Sequence, residues 1–146
     1  MPERIRGTRS LAAIFDEIAY HGESEQTQAL LAKAVSRLPE DVAGFALERC
    51  CFVSIGGNFL GLTLPGRLGE DNEGQSANFW IIVLDDCQPR DEMQATIAHE
   101  IAHAWLRHDR YGEDDLTVDC EVQAAELARD WGFTGTGADV EHHRKL

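Results

Sequence analysis

The segment ATIAHEIAHAWLR, residues 95–107, is the most informative part of this 146-residue chain. On a helix with about 100° between successive residues, its apolar side chains cover nearly the whole circumference. The polar side chains occupy one narrow wedge: Thr96, His99, Glu100, His103 and Arg107. Because apolar residues flank this wedge on both sides, the pattern predicts a buried helix whose polar groups face a site rather than open solvent.

Within the wedge, His99, Glu100 and His103 form the motif H-E-x-x-H. Residues four apart on a helix lie one above the other, so both imidazoles can reach a single Zn²⁺ ion. The intervening Glu100 is then placed beside the metal, where its carboxylate can accept a proton from water. The motif therefore predicts a zinc site in which His99 and His103 are ligands and Glu100 is the general base.

A catalytic zinc ion normally has a third protein ligand, and Glu121 is the best candidate. Residues 116–131 have the periodicity of a last helix with a broad apolar face, and Glu121 projects from the middle of that face. A buried carboxylate without a cation would cost several kcal/mol. We therefore predict that Glu121 completes the metal site, with Cys87, His142 and His143 as alternatives.

The first forty residues have helical periodicity. Residues 10–21 and 24–38 each place apolar side chains at i, i+3, i+4 and i+7, with Ser10 and Ser24 as N-caps. The sequence therefore predicts two N-terminal helices.

The middle of the chain is rich in aromatic and β-branched residues, which favour strands. Residues 45–55, 58–64 and 78–85 are predicted to be three strands, with a hairpin turn at residues 55–58 and a longer polar connection over residues 66–77. The helix that carries the HExxH motif is expected to begin near Pro89 and to end near Tyr111, before Gly112.

This order of elements predicts an α+β fold in a single domain, residues 1–146, with a loose tail from about residue 133. We expect two N-terminal helices, a small and mainly antiparallel sheet of about three strands, the HExxH helix, and a C-terminal helix that carries the third ligand.

The chain is acidic, with 13 Lys plus Arg against 26 Asp plus Glu and a formal net charge of −13. Such a charge repels phosphate backbones and anionic lipid, so we expect neither nucleic acid nor a membrane surface as a partner. Four scattered cysteines and a five-residue apolar run near the amino terminus predict a soluble, cytoplasmic protein without a signal peptide. The expected partner is a protein or peptide substrate.

Residues 78–131 also resemble a known family. Ile97-Ala98-His99-Glu100-Ile101-Ala102-His103 follows an apolar strand ending at Asp85, and Glu121-x-x-Ala124-x-x-x-Ala128 comes next. This arrangement resembles the minimal gluzincins and the related ImmA/IrrE zinc metallopeptidases. The chain departs from the ImmA/IrrE pattern, which has Asn or Asp at the position of Ala125 and Phe at that of Leu127.

The resemblance implies a zincin-like fold, with two ligands and the base on the HExxH helix and a third ligand on the helix that follows. A metzincin is excluded, because Leu106 and Asp109 stand where that class has Gly and His.

The function predicted from the sequence is a zinc-dependent metallopeptidase in which Glu100 is the general base. The alternatives are a zinc-dependent hydrolase of non-peptide amides and a non-catalytic zinc-binding regulatory module. Candidate donors to the oxyanion are Arg107, Tyr111 and His142, and the third predicted strand, residues 78–85, is expected to pair with an extended substrate.

Overall fold

The computed structural model describes residues 10–56, 61–70, 76–86, 88–106 and 114–133. These segments form five helices and four strands: α1 (Leu11–Glu17), β1 (Tyr20–His21), α2 (Glu25–Ser36), α3 (Glu40–Arg49), β2 (Cys50–Ile55), β3 (Gly61–Glu70), β4 (Ser76–Asp85), α4 (Arg90–Trp105) and α5 (Asp114–Asp130). The predicted α+β class is confirmed. None of the helices in these segments is long and apolar enough to cross a bilayer.

The first two helices begin where their caps predict. The Ser10 hydroxyl accepts a hydrogen bond from the Ala13 amide at 3.1 Å, and the Ser24 hydroxyl accepts one from the Thr27 amide at 3.0 Å. The prediction that the first helix extends to residue 21 is wrong, because α1 ends at Glu17 and β1 pairs in parallel with β2. Pairing with a distant strand outweighs the local helical periodicity there.

A third helix occupies the start of the first predicted strand. Residues 45–49 belong to α3, which begins directly after Pro39 and buries one side of its surface through Val42, Ala43 and Ala46. The apolar run from residue 45 resembles a strand when it is considered alone. Helix α2 has already ended at Ser36, and Pro39 is the N-cap of α3 with a φ of −55°.

The sheet has the strand order β1-β2-β4-β3. Strands β1 and β2 are parallel, β2 and β4 are parallel, and β3 and β4 are antiparallel. The sheet is therefore mixed rather than mainly antiparallel, and the predicted hairpin between the first two predicted strands is wrong because β4 lies between β2 and β3. Much of the predicted connection over residues 66–77 is also strand, since β3 continues to Glu70 and β4 begins at Ser76.

One face of the sheet packs against the helices. Alternate residues of β2 and β4 supply its buried side chains: Cys50, Phe52, Trp80, Ile82 and Leu84. Helix α4 contacts α2, β3, β4 and α5, and every residue from Ala95 to Ala104 is buried. The prediction that this helix is buried on nearly all sides is confirmed. Its predicted extension to Tyr111 lies outside the described residues, and α4 itself ends at Trp105.

Candidate metal centre

Packing of α5 against α4 brings three side chains to one point. The Oε1 atom of Glu121 lies 2.7 Å from Nε2 of His99 and 2.9 Å from Nε2 of His103. The exposed fractions of the three residues are 5%, 0% and 1% respectively. The structure thus brings together the three residues predicted to be ligands, although they lie on two helices and are up to 22 positions apart.

The local geometry follows from helix periodicity. His99 and His103 are one turn apart on α4, and their ring centroids are 4.8 Å apart with an angle of 71° between the ring planes. This inclination directs both Nε2 atoms at the same carboxylate oxygen. Glu121 reaches them because it lies on the face of α5 that also buries Ala124, Ala125 and Ala128.

These donors suit a zinc ion in both type and spacing. Two imidazole nitrogens and a carboxylate oxygen are a common ligand set of catalytic zinc. In a tetrahedral site with bonds of about 2.0 to 2.1 Å, neighbouring donor atoms lie about 3.3 Å apart. The observed separations of 2.7 and 2.9 Å are shorter by about half an ångström, a difference that small side-chain adjustments can supply.

The electrostatic environment holds Glu121 in its ionised form. Burial alone would raise the pKa of this carboxyl, but hydrogen bonds from His103 and His99, together with the charges of the two rings, lower the pKa well below its usual range. An ionised carboxylate is the form of Glu121 that can bind a metal ion.

Glu100 is equally buried, with 1% exposure, but its contacts differ from those of Glu121. The hydroxyl of Thr63 on β3 lies 2.6 Å from Oε1 of Glu100 and 3.0 Å from its backbone carbonyl oxygen. One donor atom each from His99, Glu100 and His103 also lies within 4.8 Å of the others. Among the described residues, these three form a group that could hold a metal ion.

Thr63 was missed by the sequence prediction, for a physical reason. It lies between Leu62 and Leu64, so alternation along a strand would direct the two leucines into the core and Thr63 to solvent. The structure shows Thr63 fully buried and Leu64 39% exposed. The one signal in the sequence was a polar residue, Thr63, within an apolar strand. Its proximity to Glu100 becomes visible only when the order of the strands is known.

The remaining predicted site residues lie outside the described segments. They are the alternative ligands Cys87, His142 and His143 and the candidate oxyanion donors Arg107, Tyr111 and His142.

A buried HExxH helix beneath a small sheet, with a glutamate from the following helix at the two histidines, defines a compact zincin-like domain. Residues 65–131 match the family model Peptidase_M78, described as the IrrE N-terminal-like domain. The match confirms the resemblance to the ImmA/IrrE group over the segment that contains His99, Glu100, His103 and Glu121. It supports a metallopeptidase-type function. Comparison with curated proteins and with solved structures gave no significant match.

Proposed function

We propose that this protein is a zinc-dependent metallopeptidase, with His99, His103 and Glu121 as the metal ligands and Glu100 as the general base. The observation that carries the proposal is the convergence of both Nε2 atoms on one oxygen of Glu121. A carboxylate and two imidazoles buried together without a cation would be an expensive arrangement for a purely structural purpose. The family match over residues 65–131 supports the same reading.

When bound, Zn²⁺ supplies a Lewis acid that polarises the scissile carbonyl and makes a water molecule more acidic. The protein's own contribution to proton transfer comes from Glu100. Its carboxylate accepts the proton of the attacking water and then donates it to the leaving nitrogen. Burial of Glu100 keeps bulk water from competing for that proton.

The substrate is proposed to lie along β3. Strand β4 was the predicted substrate strand, but it is inside the sheet and cannot accept another strand. Strand β3 is at the end of the strand order and contacts α4 through Thr63 and Glu100. An extended peptide that paired with the outer edge of β3 would therefore pass close to the proposed general base.

The test compares zinc-loaded wild-type protein with Glu100→Gln on an unfolded protein and a peptide library, with products identified by mass spectrometry. Both proteins should contain one zinc ion, but Glu100→Gln should produce fragments far more slowly than the wild type, because an amide cannot accept the water proton. Loss of Glu100 should lower kcat by a factor of about 10² to 10⁴.

Equal cleavage by both proteins would exclude Glu100 as the base. If the zinc-loaded wild type cleaves no peptide, the peptidase proposal fails and two alternatives remain. Hydrolysis of non-peptide amides would favour the first alternative, and tight zinc binding without turnover would favour the regulatory module.

A further inference from the structure

We propose that Thr63 is a positioning residue that orients the carboxylate of Glu100 for proton transfer. This inference rests on the proposed role of Glu100 as the general base. Thr63 does not act on the substrate itself in this account. Its effect is exerted through the hydrogen bond from its hydroxyl to Oε1 of Glu100.

The short distance identifies the acceptor. The Thr63 hydroxyl has one proton and two acceptors within reach, Oε1 of Glu100 at 2.6 Å and the Glu100 carbonyl oxygen at 3.0 Å. A separation of about 2.5 to 2.7 Å is typical of a hydroxyl that donates to a carboxylate, and such charge-assisted bonds are about twice as strong as neutral ones. The proton therefore goes to the carboxylate.

The sheet fixes the position of the donor. Thr63 pairs with Ile82 in the antiparallel β3–β4 ladder, and both residues are fully buried. Its β-branched side chain has restricted freedom about χ1. The side chain of Glu100 has three rotatable bonds, so an immobile donor at its end restricts the orientation of the carboxylate much more than the helix backbone does.

The hydrogen bond between Thr63 and Glu100 joins the proposed substrate strand to the helix that carries two of the proposed ligands. Thr63 belongs to β3, the proposed substrate strand, and Glu100 belongs to α4, the helix that carries two of the proposed ligands. A substrate positioned by β3 would therefore have a fixed position relative to the carboxylate of Glu100. Misplacement of a catalytic group by about 1 Å can lower a rate by a factor of about 10².

The variants are Thr63→Val, which removes the hydroxyl but keeps the shape, and Thr63→Ser, which keeps the hydroxyl. Thr27→Val is a matched control, because Thr27 on α2 is also buried and its hydroxyl donates to a carboxylate oxygen, Oδ1 of Asp86, at 2.8 Å. All three zinc-loaded proteins should contain the same amount of metal. In Thr63→Val, kcat should fall about 10- to 100-fold while KM stays within about twofold of the wild type. In Thr63→Ser, kcat should stay within about threefold of the wild type, and in Thr27→Val within about twofold.

A second readout does not depend on activity. Crystal structures of the zinc-loaded proteins should show the Glu100 carboxylate rotated or in two orientations in Thr63→Val, and in its wild-type orientation in Thr63→Ser. In addition, Thr63→Val should have no further effect on kcat in a Glu100→Gln background, because a residue that acts through Glu100 loses its effect when Glu100 is replaced.

Three results would overturn the inference. The first is an unchanged orientation of Glu100 in Thr63→Val. The second is an equal loss of kcat in Thr63→Val and Thr27→Val, which would indicate a general effect of losing a buried hydrogen bond. The third is full kcat in Thr63→Val with an active wild type, which would leave the proposed function intact. If the wild type itself cleaves nothing, the peptidase proposal has failed, and the crystal structures alone decide whether Thr63 orients Glu100.

Discussion

At the scale of single residues, two buried glutamates have different partners and therefore different proposed roles. Glu121 is in contact with the Nε2 atoms of both histidines, whereas the carboxylate of Glu100 accepts a hydrogen bond from Thr63. A metal ligand must reach the ion with its oxygen, but a general base must be held beside the ion without being bound to it. The contacts of the two carboxylates match this division.

Replacement of Glu121 tests its role as a ligand. Glu121→Ala should weaken zinc binding by a factor of about 100 or more, since loss of even an outer-shell partner typically costs 10- to 100-fold. Zinc content after dialysis against a weak chelator, measured by elemental analysis, gives the result. Glu126→Ala is the control, because Glu126 is an exposed carboxylate on the same helix. Wild-type zinc content in Glu121→Ala would move the third ligand to another residue.

At the scale of elements, hydrogen bonds fix the amino-terminal half of the helix that carries the HExxH motif. Near its start, the Thr96 hydroxyl donates to Oε1 of Gln88, whose Nε2 donates to the Asp85 carbonyl at the end of β4. Arg37 follows α2 and donates to Gln94 on α4 and to the Gly132 carbonyl after α5. These contacts hold α4 in place against the sheet and α5, so the packing that brings Glu121 to the histidines is anchored outside the metal centre.

The assignment of side chains to the two faces of β2 can be tested through its first two residues, Cys50 and Cys51. Cys50, 3% exposed, lies on the helix-packed face of β2, and burial together with the neighbouring Cys51 raises the pKa of its thiol well above the usual range. Cys51 lies on the opposite face and is only partly buried. Since the thiolate is the reactive form, iodoacetamide should modify Cys51 of the native protein and leave Cys50 unmodified.

Peptide mapping by mass spectrometry gives the extent of modification at each position, and Cys51→Ser isolates the signal of Cys50. Both thiols should react fully after unfolding. If Cys50 of the native protein reacts as fast as Cys51, the assignment of faces along β2 is wrong.

The elements that the sequence predicted incorrectly share a cause. The start of β2 was placed five residues early because the apolar side chains from Phe45 to Leu47 suit a buried helix and a strand equally well. Tyr20 and His21 continue a helical pattern, yet they form a strand because β2 offers backbone partners. The glycine-rich sequence at residues 55–58 is typical of a hairpin turn. It does not indicate that a later strand, β4, pairs with β2.

At the scale of the whole molecule, the sequence predicted those site residues that stand out from the pattern of their own helix. The polar wedge on α4 and the lone acid on the apolar face of α5 identified the residues at the site, because each pattern lies within a single helix. Thr63 could not be found in this way. Its contact with Glu100 depends on how β3 packs against α4, and a contact between residues 37 positions apart leaves no signature in a short stretch of sequence.

The charge of the molecule is consistent with the proposed site. One of the 26 acidic residues, Glu121, is buried against two histidines rather than exposed at the surface. Bound Zn²⁺ would change the formal net charge from −13 to −11, which still disfavours polyanions as partners.

In the proposed site, Glu121 binds the metal and Glu100 does not. The most direct measurement is an anomalous difference map from a crystal of the zinc-loaded protein, recorded at the zinc absorption edge. We predict a single peak at about 2.0 to 2.2 Å from Nε2 of His99, Nε2 of His103 and a carboxylate oxygen of Glu121, with Glu100 still hydrogen-bonded to Thr63. A peak with Glu100 as the third ligand and Glu121 displaced would rule out the proposed ligand set, as would the absence of a peak at the two histidines.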